Sequence, residues 1–235
     1  MIKEYAKICK KFETLLMVDG ISSVGAFSLP MDEWGIDVLV SGSQKALMLP
    51  AGLSMISLSQ KAQQRAKNAN LPKFYWDLKE ELKNNESGRN HFSSSVSLVR
   101  ALDVSLDFLI KKGLSQHYLE VAAKAAATTL ALQEFGLEIF SKAPSPSLTA
   151  VLMPVGLSSD VVMEKLEKKH RIFLAGGQDQ IKGKILRIGH MGYIENIDVL
   201  FCLEKLFEVL SELRPQEFTE NQMIKALEKA KNKLC

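Results

Sequence analysis

The sequence predicts an α/β fold: a sheet-containing region over about residues 1–100, then a smaller α+β domain over about 101–235. Three observations carry this. The continuous apolar runs "LLMVD" (15–19), "IDVLVSGS" (36–43) and "GLSMISLS" (52–59) read as strands covered on both faces, parallel or mixed in direction. Apolar residues at helical spacing surround them. After the turn "APSPS" (143–147), short strands and helices alternate, as in a small antiparallel sheet covered by helices.

Taken in order, Ile2, Tyr5, Ala6 and Cys9 fall on one helical face, so 2–12 is expected to be a helix. Three strands follow over the runs just quoted. Residues 60–92 are polar and are expected to be loop-rich. From Val96 a helix is expected with Val99, Leu102, Leu106 and Leu109 on one face, ended by Gly113. An alanine-rich helix fills 114–135. Strands are then expected at 148–154, 171–175 and 184–190. Helices are expected from Ser158 or Ser159 to about His170, over 195–213 before Pro215, and over 219–234.

Composition narrows the function. The chain has 235 residues, 46% hydrophobic and 24% charged, which is ordinary globular usage. A net charge of +3 is too weak to argue for nucleic acid or an anionic membrane. No apolar run approaches the ~18 residues that span a bilayer. The amphipathic, mixed-charge N-terminus does not read as a signal peptide. The three cysteines, Cys9, Cys202 and Cys235, are far apart and lack CxxC spacing. They are expected to be reduced thiols of a cytoplasmic protein, with no zinc site and no disulfide framework. His91, His117, His170 and His190 show no metal-ligand spacing, so no metal is expected.

The stretch "VSGSQKALMLPAG" (40–52) carries the chemistry. Lys45 follows a buried strand, and burial disfavours an ammonium and frees the amine as a nucleophile, as Schiff-base chemistry requires. By spacing alone, a solvated lysine at a strand-to-turn edge is the commoner case. Asp19 ends an earlier strand ahead of Gly20. In parallel α/β sheets ligands bind beyond the carboxyl ends of strands, so Asp19 and Lys45 could face one crevice. A carboxylate there can keep a pyridinium nitrogen protonated while the lysine holds an aldehyde. Asp19 is equally read as a turn aspartate before glycine. Arg187, in "LRIGHMG", would by itself be an edge-strand surface arginine.

The segments "LLMVDGISSVGAFSLPMDEWGIDVLVSGSQKALMLPAGLSMISLS" (15–59) and "AGGQDQIKGKILRIGHMGYIEN" (175–196) resemble class V, fold-type I, pyridoxal-phosphate-dependent aminotransferases. The nearest branch is the alanine–glyoxylate and serine–glyoxylate (serine–pyruvate) aminotransferases. The resemblance implies that Lys45 forms the internal aldimine and shuttles the Cα proton, and that Asp19 partners the pyridine nitrogen. Gln44 is then a cofactor-binding residue near the phosphate, and Ser22 packs beneath the ring. Arg187 grips the substrate carboxylate, which its planar fork suits. Ser93 or Ser94, in "NHFSSSVSLVRAL", stands where relatives carry a threonine that reaches the cofactor phosphate of the neighbouring subunit of a dimer. Either serine serves equally well as a helix N-cap. His190 would help form the site wall or be structural.

The resemblance also implies a longer N-terminal part in relatives. That part supplies the turn that cradles the phosphate, the aromatic clamp on the ring and several central strands. Neither Trp34 nor Trp76 stands in the clamp's place. The chain is therefore expected to be a C-terminal portion, an incomplete cofactor-binding large domain over 1–100 and a complete small domain over 101–235. Two functions follow. One is transfer of an amino group from alanine or serine to glyoxylate or pyruvate, in a homodimer or with a separate N-terminal piece. The other is a truncated, inactive fragment or partner subunit. A cysteine desulfurase is disfavoured: Gln44 precedes the lysine where those enzymes usually carry histidine, and no cysteine lies between Cys9 and Cys202.

Overall fold

A computed structural model describes residues 2–234, so Cys235 lies outside the described residues. They divide into two compact units, the first ending at Lys112 and the second beginning at Gly113. No described helix is long and apolar enough to cross a membrane.

The first unit holds α1 (Ile2–Lys11), β1 (Met17–Asp19), α2 (Met31–Trp34), β2 (Val38–Gly42), β3 (Ser54–Leu58), α3 (Gln60–Lys67), α4 (Leu78–Glu86) and α5 (Val96–Lys112). Its sheet runs β1-β2-β3 and is mixed: β2 lies parallel to β1, with Val18 opposite Leu39, and antiparallel to β3, with Val40 opposite Ile56. The β-branched run of β2 is the buried centre. Asp37, just ahead of it, is itself buried and ties the strands together. Its Oδ2 accepts from the Leu16 N–H at 3.0 Å and its Oδ1 from the Ser59 hydroxyl at 2.7 Å. A buried carboxylate is stable only with such partners.

Three expectations for this unit change. The 60–92 stretch contains α3 and α4. Both begin at a side-chain cap, Ser59 and Asp77, and are built of good helix formers that bury little. They lack an apolar stripe, so periodicity could not reveal them. In α5 the buried stripe passes through Ser105 and Leu109, with Leu102 partly buried, while Leu106 is exposed. This helix belongs to the first unit, past the expected division near residue 100: Leu109 packs with Leu47 and Leu49.

The second unit holds α6 (Leu114–Glu134), β4 (Leu148–Leu152), α7 (Ser159–His170), β5 (Ala175–Gly176), β6 (Ile185–Gly189), α8 (Asn196–Leu213) and α9 (Glu220–Leu234). Its sheet runs β4-β6-β5, antiparallel throughout. Phe135, at the end of α6, is fully buried between Phe207 of α8 and Phe218, with ring centroids 4.0 and 4.9 Å away. Val151, Leu186 and Ile188 supply the sheet's face of this core. Ser158 caps α7, its hydroxyl accepting from the Asp160 N–H at 3.2 Å. The strand expected at 171–175 pairs only from Ala175. Arg171 closes α7 in the left-handed conformation, φ 55°, and the chain needs the following residues to reach the sheet.

Candidate active site

In the first unit, parallel pairing sets Asp19 opposite Val40, so β1 and β2 end on the same side of the sheet. The chain leaving β1 crosses the end of β2, with the Gly20 N–H donating to the Val40 carbonyl at 2.8 Å. A Cβ on Gly20 would lie 2.7 Å from Leu39 Cδ1 and 3.1 Å from the Val40 carbonyl oxygen, so the crossing is close and a side chain there would force Leu39 to move. The Asp19 Oδ1 accepts from the Ile21 N–H at 2.9 Å, an Asx turn that orients the carboxylate. Asp19 is exposed at the strand end. Ser22 is half-buried in the turn that follows. That turn returns to the lysine loop at Gly25, whose φ is 84° and whose Cβ, were it present, would sit 3.1 Å from Ala46 Cβ. The turn that carries Ser22 thus packs against the segment carrying Lys45 at Gly25 and Ala46.

Lys45 stands three residues beyond β2, half-buried in a loop whose neighbours Ser43, Ala46, Leu47 and Leu49 are buried. The loop is held from within. The Leu49 N–H donates to the Ser43 carbonyl at 3.1 Å, and the Met48 N–H to the Lys45 carbonyl at 3.0 Å. Ser43 closes it: its hydroxyl donates to the Pro50 carbonyl at 2.7 Å and accepts from the Leu53 N–H at 3.2 Å. Met48 is left-handed, φ 62°. The Lys45 ammonium makes no hydrogen bond or ion pair among the described residues. Gln44 is exposed and folds its amide back over Gly42, where a Cβ would stand 2.8 Å from Oε1. Ser93 and Ser94 are exposed in the segment leading into α5. The Ser94 carbonyl accepts from the Val96 N–H at 3.0 Å.

Arg187 belongs to the second unit. Contrary to the edge position that its sequence alone suggests, it lies on β6, the central strand, between Ala150 of β4 and Ala175 of β5. Directly opposed residues share a sheet face. Two methyl groups therefore flank the arginine and leave its long side chain room. Its Nε is buried without a hydrogen-bond partner. A buried guanidinium nitrogen left unsatisfied is a donor waiting for an anion.

His190 does not share that face. It is fully buried, its backbone N–H donates to the Ser147 carbonyl at 2.9 Å, and its Nε2 lies 2.8 Å from Thr149 Oγ1. Thr149 pairs with Ile188, which faces the core. Burial, with the Lys124 charge second, lowers the imidazole to about 4, so it is neutral near pH 7. Its place is structural. Burial likewise pushes the Cys202 thiol up to about 11, which keeps it unreactive.

Ser43, Ser105, Ala150 and Ala175 are the site-building residues that sequence reasoning missed. Ser43 lies inside the quoted lysine segment, where a small polar residue amid buried apolar ones was the available signal. The alanines become visible only once strand pairing is known.

In the first unit an aspartate ends one parallel strand and a lysine follows the next, and the second unit by itself holds an arginine whose Nε is buried without a partner. The sequence model described as aminotransferase class-V matches residues 1–190, and the chain belongs to that family. It is 37% identical over 216 residues to the soluble hydrogenase 42 kDa subunit of Anabaena cylindrica, covering 91% of this chain and 56% of that protein. It is 34% identical over 202 residues to the serine–glyoxylate aminotransferase of Hyphomicrobium methylovorum, covering 83% of this chain and 50% of that one. Among solved structures, the ureidoglycine–glyoxylate aminotransferase of Bacillus subtilis superposes with a TM-score of 0.89 at 27% identity, over 99% of this chain and 61% of that chain. The chain spans about half the length of the curated relatives it matches.

Proposed function

We propose that this chain takes part in pyridoxal-phosphate-dependent transfer of an amino group from a small amino acid, alanine or serine, to a 2-oxo acid such as glyoxylate or pyruvate. The observation that carries the reading is the placement of Asp19 at the carboxyl end of β1 and of Lys45 just past that of β2, its parallel neighbour. The residues present fit the cofactor. Lys45 offers an amine without a partner, and the second oxygen of Asp19 makes no hydrogen bond among the described residues. The cofactor, when bound, supplies an aldehyde for covalent attachment and a ring that accepts electrons.

Each residue then has one task. Lys45 holds the aldehyde and takes and returns the proton at the substrate α-carbon. Asp19 keeps the ring nitrogen protonated. Gln44 and the Ser93 hydroxyl donate to the phosphate, and Ser22 supports the ring. Arg187 binds the substrate carboxylate, a role its unsatisfied Nε supports. The names of the glyoxylate aminotransferases among the relatives support glyoxylate as acceptor. The Ser93 task further proposes a homodimer, or pairing with a separate N-terminal piece, in the cytoplasm.

A second reading, a chain inactive alone or acting as a partner subunit, is favoured by the outer edge of β1. That edge pairs with no other described strand, and Met17 on it is 68% exposed. An absorbance titration of the purified chain with pyridoxal phosphate, beside Lys45→Ala, separates the two. A band abolished by the substitution and altered by alanine or serine supports the first reading. Absence of any Lys45-dependent band overturns it for the chain alone.

A further inference from the structure

Ser105 lies on the buried stripe of α5, far in sequence from the lysine loop, and its hydroxyl donates to the Leu47 carbonyl at 2.6 Å. The Leu47 carbonyl and the Met48 N–H are the two ends of one planar peptide unit. The other end donates to the Lys45 carbonyl at 3.0 Å. One rigid plane therefore runs from the Ser105 hydroxyl to the Lys45 backbone, with a hydrogen bond at each end. The plane also sets the φ of Met48, which at 62° is a conformation that a residue with a side chain rarely holds. Turning the plane over would relax Met48 and break both bonds together. The flanking Leu47 and Leu49 are packed with Leu109, one turn along α5 from Ser105, so helix and loop are braced at the same place.

We infer that Ser105 is a positioning residue for Lys45: through the Leu47–Met48 peptide it holds the lysine loop in the conformation that presents the amine. The inference rests on the reading of Lys45 as the cofactor lysine. It assigns Ser105 no contact with cofactor or substrate. Ser43 closes the loop at its base, whereas Ser105 orients the one peptide that bonds Lys45 itself.

The test compares the full chain with Ser105→Ala and Ser105→Thr. Alanine is the better helix former, so the first substitution does not threaten α5. Two readouts are taken: hydrogen exchange at the Met48 amide, and the midpoint of the Lys45-dependent absorbance band in a pyridoxal phosphate titration. The net worth of one hydrogen bond corresponds to about a fivefold change in the balance between the pinned and turned peptide. Ser105→Ala is therefore expected to speed Met48 exchange about fivefold and to raise the band midpoint about fivefold, with Ser105→Thr restoring both. A band midpoint equal to that of the wild type overturns the positioning role, because a merely structural serine would leave it there. If the wild type forms no band, the cofactor reading of Lys45 fails instead. The exchange rate then decides whether Ser105 holds the loop, and unchanged Met48 exchange overturns that as well.

Discussion

Acid should weaken the second unit through one buried side chain, His190. Folded, its imidazole titrates at about 4 against an ordinary 6.5, because burial disfavours the cation and Lys124 repels it. The unfolded chain thus binds a proton that the folded chain refuses. Stability from this source is complete above pH 6.5 and is lost as pH falls toward 4. At about 1.4 kcal/mol per factor of ten, the loss is about 3 kcal/mol. Urea denaturation followed by far-ultraviolet circular dichroism at several pH values between 7.5 and 4 measures it. Carboxylates paired with lysines, such as Glu212 with Lys169, also lose their partners' help as pH falls. The informative quantity is therefore the difference between wild type and His190→Gln, in which those contributions cancel. The wild type should fall more steeply than the variant by about 3 kcal/mol across the window. A His190 ring proton resonance titrating near 6.5, or a difference independent of pH, would refute the reasoning.

Other perturbations have equally definite outcomes. Phe135→Ala removes the middle ring of a fully buried stack and should destabilise the second unit by about 3–5 kcal/mol in the same assay. A loss under about 1 kcal/mol would mean that the core there is not packed as described. Ser43→Ala leaves the Pro50 carbonyl and Leu53 N–H without their partner and should destabilise the first unit by about 1–3 kcal/mol, read from Trp34 fluorescence on unfolding. The chain alone should elute from a sizing column as an oligomer, because β1 offers an unpaired edge bearing Met17. Met17→Lys should shift it toward the monomer, and a sharp wild-type monomer would contradict the exposed-edge argument.

Strand positions were legible where the sequence carries a continuous apolar run, as at 15–19, 36–43 and 52–59, although only β2 is buried along its length while β1 and β3 are largely exposed or half-buried. The exposed helices α3 and α4 were not, because a solvated helix needs only caps and helix formers. Asp19 and Lys45 could be found in the sequence because one ends an apolar run and the other follows one, in segments that resemble a known family. What braces them could not. Ser105 interrupts an apolar stripe and reads as a blemish in it, although its hydroxyl satisfies a carbonyl of a loop 58 positions away. Arg187, apart from the resemblance, likewise reads as an edge-strand surface residue, and only the order β4-β6-β5 puts its strand in the middle.

The claim at the centre of this account is that the end of β2 presents an amine for a cofactor aldehyde. Reductive trapping tests it directly: the chain is incubated with pyridoxal phosphate, reduced with borohydride and mapped by peptide mass spectrometry. The account predicts one dominant pyridoxyl label, on Lys45, at cofactor concentrations where the exposed lysines of α1 and α9 remain unmodified. Label spread evenly over those surface lysines, with Lys45 unmodified, would contradict it.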